Sequence, residues 1–116
     1  DFYSDMVGKD DIVLVYTGHG DLYGTGEYFT DQPVIDEGLA DFFVEKKIKM
    51  LGVDMPSPDN YPFIVHKKLF SANILIIENL TNLSELIGVK AFEVIAFPLK
   101  VRAEASMARV AACIII

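Results

Sequence analysis

The chain has 116 residues, the size of one ordinary domain. Its 17 acidic and 10 basic residues give a formal charge of -7, which repels a phosphate backbone, so we expect no nucleic-acid partner. Hydrophobic residues make up 52% of the chain, and we expect part of this apolar surface to meet a partner surface.

Three features near the ends of the chain bear on where in the cell the protein is located. The longest apolar run, residues 110–116, is much shorter than the roughly 20 residues that span a bilayer, so we expect no membrane anchor. Cys113 lies inside this run and has no second cysteine to pair with, which fits a reducing cytoplasm, and we expect it to be a buried small hydrophobe. The chain begins at Asp1 without an initiator methionine or a signal-like segment, which suggests processing or truncation upstream.

The first part of the chain predicts a strand, a loop and a helix. Residues 12–16 form a continuous apolar, β-branched run that is typical of a strand buried on both faces. Residues 18–33 hold four of the eight glycines and predict a long loop, a candidate rim of an active site. A helix is predicted from an N-cap at Asp36 to the cations Lys46 and Lys47.

The remaining pattern also alternates strand and helix. The predicted elements are a strand over 49–54, a proline-rich non-helical segment, a short helix over 66–70, a strand over 74–77, a helical turn over 82–86, and two strands over 92–99 and 109–115. We expect the last two strands to pair antiparallel. This order predicts one α/β domain over residues 1–116.

Polar residues collect where three of these strands end. The first strand runs into Thr17, Gly18 and His19, the second ends at Asp54, and the third ends at Glu78. Ligands of open α/β sheets bind at the carboxyl ends of the strands. The three ends share one edge if the strands run parallel, which the sequence leaves open.

His66 and Glu78 are the strongest candidates for a metal site. They lie twelve residues apart, and imidazole with carboxylate is a ligand set for zinc, manganese or iron. Each has a structural alternative: His66 as an exposed or hydrogen-bonded helix residue, and Glu78 as a cap for a nearby backbone amide.

Other polar residues have weaker assignments. Asp54 is expected to accept backbone hydrogen bonds that shape the proline-rich turn, with Ser57 as a structural neighbour. His19, between two glycines, is either a solvated loop histidine or a substrate contact. The chain contains no dinucleotide fingerprint, no Walker loop and no Gly-x-Ser-x-Gly elbow.

A set of short segments closely resembles a known family. The segments are residues 11–18, residues 52–59, His66 with Leu69, residues 77–83, residues 97–100 and Arg109. In order and spacing they resemble the putative cyclase family of metal-dependent hydrolases, which includes bacterial kynurenine formamidase. The resemblance implies a swivelling β/β/α fold with a mixed sheet and flanking helices, a mononuclear or dinuclear metal site, and His66 and Glu78 as metal ligands.

The chain also departs from the family pattern. The signature HxGTHxDxPxH, which supplies the remaining ligands and a catalytic histidine, lies upstream of the matched region and is absent here. His19 stands where relatives commonly have tryptophan, and residues 103–106 replace a glycine-rich stretch. We therefore expect the C-terminal portion of a hydrolase, incomplete at its N-terminus.

Three hypotheses about function follow. In the first, a cytoplasmic arylformamidase-like enzyme hydrolyses a small amide or cyclic amide with water activated by a divalent metal, zinc or else manganese, and a loop from His19 to Tyr28 lines the substrate pocket. In the second, the chain is a truncated, non-catalytic binding or oligomerisation module. In the third, a separate N-terminal segment complements it; a homo-oligomer is also expected.

Overall fold

The computed structural model describes residues 3–116 and divides into two units, one ending at Glu85 and the other covering Leu86–Ile116. The first unit is an α/β layer. Its strands are β1 (Ile12–Val15), β2 (Met50–Val53) and β3 (Leu75–Ile77), and its helices are α1 (Glu27–Thr30), α2 (Glu37–Lys46) and α3 (Ile64–Ser71). Short 3-10 helices cover His19–Leu22 and Leu83–Leu86.

The three strands of the first unit run parallel, in the order β1-β2-β3. Parallel strands need crossover connections, and α2 and α3 lie in those connections. Since all three strands point the same way, the residues that follow Val15, Val53 and Ile77 lie at one edge of the sheet. This edge, which we call the carboxyl edge, carries the polar residues singled out in the sequence.

The central strand β2 is buried, whereas its neighbours are only half covered. Leu51 and Val53 are inaccessible to solvent, but all four residues of β1 are half-buried and Leu75 of β3 is 56% exposed. The expectation that the first strand is buried on both faces is therefore wrong for the part of the chain described, and β3 is likewise only partly covered. Both are edge strands of this three-stranded sheet, so each has a partner on one side only.

Helix α2 forms as predicted. The carboxylate of Asp36 accepts a hydrogen bond from the backbone N–H of Leu39 at 2.7 Å, which satisfies one free donor of the first turn. Lys47 ends the helix with a left-handed backbone, and its N–H bonds the carbonyls of Phe43 and Val44. The apolar side of the helix buries Ala40 and Phe43 in the core.

Helix α3 packs beside α2, and the two share the core of the first unit. Val65 and Leu69 of α3 are buried in the same apolar cluster as Phe43 and Leu51. At the surface Lys68 donates to Asp41 at 2.7 Å and lies 3.4 Å from Glu37, and the hydrogen bond to Asp41 raises the pKa of the lysine. The position of α3 matters because His66 lies on it.

The second unit is a hairpin of two antiparallel strands, β4 (Phe92–Pro98) and β5 (Ala108–Ile114), with Phe92 opposite Ile114. The antiparallel pairing is confirmed. Cys113, however, is exposed, so the expectation that it is buried is wrong. A two-stranded ribbon has no second layer of its own to cover β5.

The single domain predicted over residues 1–116 stays a prediction. Among residues 3–116, none of the helices has both the length and the apolar character needed to cross a membrane.

Candidate metal centre

Asp59 fixes the start of α3 and the ring of His66 together. One carboxylate oxygen of Asp59 accepts from the backbone N–H of Val65 at 2.8 Å, and more weakly from that of His66 at 3.4 Å. The other oxygen lies 2.5 Å from Nδ1 of His66. A buried aspartate that satisfies free helix N–H groups therefore also holds an imidazole in one orientation.

This contact decides what the other ring nitrogen offers. A neutral imidazole carries one proton, and only Nδ1, 2.5 Å from Asp59, lies within normal hydrogen-bond distance of a carboxylate. In the neutral ring Nδ1–H therefore donates to Asp59 and Nε2 keeps its lone pair. Metal-binding histidines commonly have this arrangement, with a carboxylate behind the ring that fixes the tautomer and raises the basicity of the ligand. The rings of Phe63 and Phe70 flank His66 edge-on, with centroids 5.5 Å and 5.7 Å away.

Glu78 meets the free nitrogen from the carboxyl edge. It follows β3 directly, its side chain is 35% exposed, and it places Oε1 3.4 Å from Nε2 of His66. The chain beyond it stays tied to the end of β2, because Asn79 N–H donates to Met55 O at 2.9 Å and Leu80 N–H donates to Val53 O at 3.0 Å. The structure thus brings together the two residues that the sequence analysis paired.

The spacing of the two atoms suits a shared cation. A charge-assisted hydrogen bond is about 2.7–2.9 Å long, whereas two ligands of a tetrahedral zinc ion, at bond lengths of about 2.0–2.1 Å, lie roughly 3.4 Å apart. The 3.4 Å between Nε2 and Oε1 matches the second case. Between residues 3 and 116, however, no group of three His, Cys, Asp or Glu side chains could hold a metal ion, so the pair fits a metal as part of a coordination sphere.

His19 and Tyr28 are both buried, which differs from the solvated loop histidine considered above. His19 is 8% exposed, its Nε2 lies 2.8 Å from the carbonyl of Tyr28, and its ring stacks on the Tyr28 ring at 5.2 Å. Tyr28 donates its hydroxyl to Oδ1 of Asn79 at 2.7 Å. Burial and the nearby carboxylates of Asp54 and Glu78 raise the pKa of Tyr28, so the hydroxyl keeps its proton at neutral pH.

The segment that contains these two residues is more ordered than the predicted loop. Residues 18–33 include the 3-10 helix His19–Leu22 and helix α1. The expectation of one long loop there is wrong, because four-residue helices bury too few side chains to leave an apolar period in the sequence.

Asp54 joins the ends of β1 and β2. Its carboxylate accepts from the backbone N–H groups of Thr17 at 3.1 Å and Gly18 at 2.8 Å, and from the Thr17 hydroxyl at 2.7 Å. It does accept backbone hydrogen bonds, but the donors belong to the end of β1 and not to the proline-rich turn that we expected. Ser57 shapes that turn instead, donating its hydroxyl to the carbonyl of Asp59 at 2.7 Å.

Sequence reasoning missed Asp59 and Asn79. Asp59 caps α3 across several intervening residues, so it does not stand at the helix boundary where a cap is sought. Asn79 has a positive φ of 60°, a conformation that asparagine adopts more readily than most residues. An asparagine directly after a predicted strand could therefore have indicated a left-handed turn at this position.

Comparison with protein families and known structures shows which proteins the chain is similar to. The model of the family described as Putative cyclase matches residues 3–60, half of the chain. The matched segment includes Asp54, Ser57 and Asp59 and ends before His66. An uncharacterized protein of Methanocaldococcus jannaschii is 40% identical over 102 residues, which are 87% of this chain and 52% of that protein.

Two solved structures are also similar. One, described as a potential metal-dependent hydrolase with cyclase activity, has a TM-score of 0.74 and 28% identity over 90% of this chain and 51% of its own. The other, described as a predicted metal-dependent hydrolase from Bacillus stearothermophilus, has a TM-score of 0.72 and 28% identity over 90% of this chain and 50% of its own. The cyclase-like α/β fold is thereby confirmed, and the chain spans about half the length of the relatives it matches.

Proposed function

Since the chain belongs to the putative cyclase family, we propose that it supplies part of the metal centre of a hydrolase, with His66 and Glu78 as ligands. The observation that carries this proposal is the pair of contacts on one imidazole: Asp59 at Nδ1 and Glu78 at Nε2. A histidine with a carboxylate behind it and a second ligand in front is the arrangement found around protein-bound metals. The similar structures described as metal-dependent hydrolases support it.

The donor set favours a divalent ion of intermediate softness. A neutral imidazole and a carboxylate suit zinc, and also manganese. Bound to these groups, such an ion supplies Lewis acidity, polarising a carbonyl and lowering the pKa of water. A catalytic zinc site uses at least three protein ligands, so further ligands have to come from polypeptide outside residues 3–116 or from a second copy.

The residues of this chain have separate tasks in the proposed hydrolysis of a small amide or cyclic amide of the arylformamide type. Asp59 holds the proton on Nδ1 of His66 and so keeps Nε2 available as a ligand. Glu78 adds a negative charge beside it. The segment from His19 to Tyr28 would line the substrate pocket, and the His19 ring and the Tyr28 hydroxyl are bonded to the protein itself.

Ligand removal tests the proposal. Metal content is measured on the protein purified with these residues intact and with His66→Ala or Glu78→Ala. Loss of an outer-shell partner typically lowers metal affinity about 10–100-fold. Loss of a ligand itself should lower the affinity at least as much. Glu45→Ala, which removes an exposed carboxylate from α2, is the matched control. Unchanged metal occupancy in both variants contradicts the assignment.

A non-catalytic binding or oligomerisation module is the second candidate. It is favoured by the lack of a third metal ligand among residues 3–116 and by the exposed apolar residues of the hairpin, among them Phe97 and Ile114. Hydrolysis of an aryl-formamide by the purified 116-residue chain, with metal added, contradicts this candidate. Intact mass of the purified sample then shows whether a complementing segment accompanies the chain.

A further inference from the structure

A series of hydrogen bonds and ring contacts leads along the carboxyl edge to the residue beside Glu78. Asp54 holds Thr17, and the hydroxyl of Thr17 accepts from the backbone N–H of His19 at 3.1 Å. His19 then holds Tyr28 through the stacked ring and through the carbonyl that its Nε2 contacts. The Tyr28 ring is only 1% exposed, so its hydroxyl is presented at a fixed point.

That hydroxyl reaches the turn that follows the proposed ligand. It donates to Oδ1 of Asn79 at 2.7 Å, across 51 positions of the sequence. Asn79 is the residue directly after Glu78 and has a left-handed backbone, with φ 60°. An L-residue other than glycine adopts this conformation at a cost, and asparagine does so most readily because its side chain can hydrogen-bond locally.

The left-handed turn and the side-chain contact act on the same short segment. The backbone N–H of Asn79 is bonded to Met55, and its side chain is bonded to Tyr28, so the residue is held at two points. Glu78 lies between this anchor and β3. The glutamate side chain is 35% exposed and has several rotatable bonds, so holding its backbone reduces the range of positions that its carboxylate can sample.

We propose that Tyr28 is a positioning residue for Glu78, acting through Asn79 to hold the carboxylate opposite Nε2 of His66. The inference rests on the proposed function, because it assumes that Glu78 is a metal ligand. In this role the hydroxyl of Tyr28 affects metal binding only through Glu78. The role is separate from the packing of the tyrosine ring in the core.

A double-mutant cycle separates this role from a general structural one. The probe is Co²⁺, and its Kd is measured from the shift of the His66 ring signals in NMR, which every variant retains. Tyr28→Phe keeps the buried ring and removes the hydroxyl. It should raise the Kd roughly tenfold in the otherwise unchanged chain, and leave the Kd unchanged when Glu78 is already alanine, because its effect is transmitted through Glu78.

Two further variants complete the design. Asn79→Gly keeps the left-handed turn and removes the acceptor, so it should raise the Kd as Tyr28→Phe does, and the two changes together should add little. Tyr23→Phe removes a hydroxyl from an exposed ring that packs against Tyr28, and should leave the Kd unchanged. Amide NMR spectra confirm for each variant that the fold is retained.

The outcomes distinguish the two claims. If Glu78→Ala alone leaves the Kd for Co²⁺ unchanged, Glu78 is not a ligand, and both the proposed ligand pair and the positioning role are overturned. If Glu78→Ala raises the Kd but neither Tyr28→Phe nor Asn79→Gly does, the positioning role alone is overturned. If Tyr28→Phe raises the Kd equally with and without Glu78, the tyrosine acts on the site as a whole and the inference is again overturned.

Discussion

The carboxylate of Asp59 contacts both the backbone of α3 and the imidazole of His66. Because it is 7% exposed, its hydrogen bonds are made in surroundings with little competing water. The two contacts link the stability of the helix start to the orientation of the proposed ligand. The two effects can be measured separately in one variant.

Asp59→Asn should weaken metal binding and destabilise the fold. The amide has no negative charge to hold the proton on Nδ1, so we expect metal affinity to fall about 10–100-fold. The weaker cap on α3 should lower the free energy of unfolding by about 1 kcal/mol. Co²⁺ titration and urea unfolding measure the two effects. Asp31→Asn, on an exposed segment, is the control; an Asp59→Asn chain with the original affinity contradicts the outer-shell role.

The sequence predicted residues of the candidate site where they directly follow an element. Glu78 comes straight after an apolar strand, so its position at a sheet edge could be inferred from sequence. The contacts that complete the site could not. Tyr28 and Asn79 are separated by 51 positions, and Asp59 reaches His66 by a side-chain direction that no local spacing encodes. Such contacts depend on the tertiary fold.

At the scale of elements, α2 was predictable because several local signals agree. Asp36 caps the start, an apolar period follows, and Lys46 lies in the last turn. The direction of the strands was not predictable in the same way, since an apolar run has the same composition whichever way it runs. Because β1, β2 and β3 run parallel, the residues that follow the three strands lie together at the carboxyl edge.

Gly52 allows β2 to lie close to its neighbours. A Cβ built at this position would lie 2.6 Å from Cδ2 of Leu14 and 2.7 Å from Cδ1 of Leu80. Both atoms end flexible, half-buried leucine side chains, which can move aside at a small cost. We expect Gly52→Ala to lower the free energy of unfolding by about 1 kcal/mol, the low end of the cost of overpacking, measured by urea denaturation.

Gly26 offers a matched control for this prediction. A Cβ there meets no atom within 4 Å, and its φ of -65° is one that alanine adopts freely. Gly26→Ala should be neutral or raise the free energy of unfolding by about 0.4–1 kcal/mol, through the smaller entropy of the unfolded chain. Equal stabilities of the two alanine variants contradict the close packing inferred at Gly52.

At the scale of the whole molecule, the chain belongs to the cyclase family and spans about half the length of the relatives it matches. The proposed ligand pair has no third His, Cys, Asp or Glu ligand among residues 3–116. The family resemblance was visible in the sequence because short polar motifs follow strand ends. Exposure was not predictable in this way: Cys113 lies in an apolar run and is nevertheless exposed. An apolar run predicts that its surface is covered by protein. It does not predict whether the same chain or another one covers it.

The hairpin of the second unit has apolar side chains on both of its faces. Paired residues share a face, so one face carries Phe92, Val94, Ala96, Val110, Ala112 and Ile114, and the other carries Ile95, Phe97, Ala111 and Cys113 with the charged Glu93 and Arg109. A sheet with one solvated face would have polar residues along that face. β5 is also a seven-residue edge strand with one charge, which favours pairing with another chain.

We therefore expect the 116-residue chain to self-associate through this hairpin. Replacing Phe97 and Ile114 by lysine places one new charge on each face of the hairpin. The fold should tolerate both changes, because Phe97 is 68% and Ile114 is 56% exposed. The double variant should sediment as a monomer at concentrations where the unchanged chain forms larger species, as measured by analytical ultracentrifugation. Ile87→Lys changes an equally exposed residue outside the strands and should leave association unchanged. If both sediment as larger species, the hairpin is not the associating surface and the chain associates elsewhere. If the unchanged chain sediments as a monomer, the homo-oligomer expected from the apolar composition does not form.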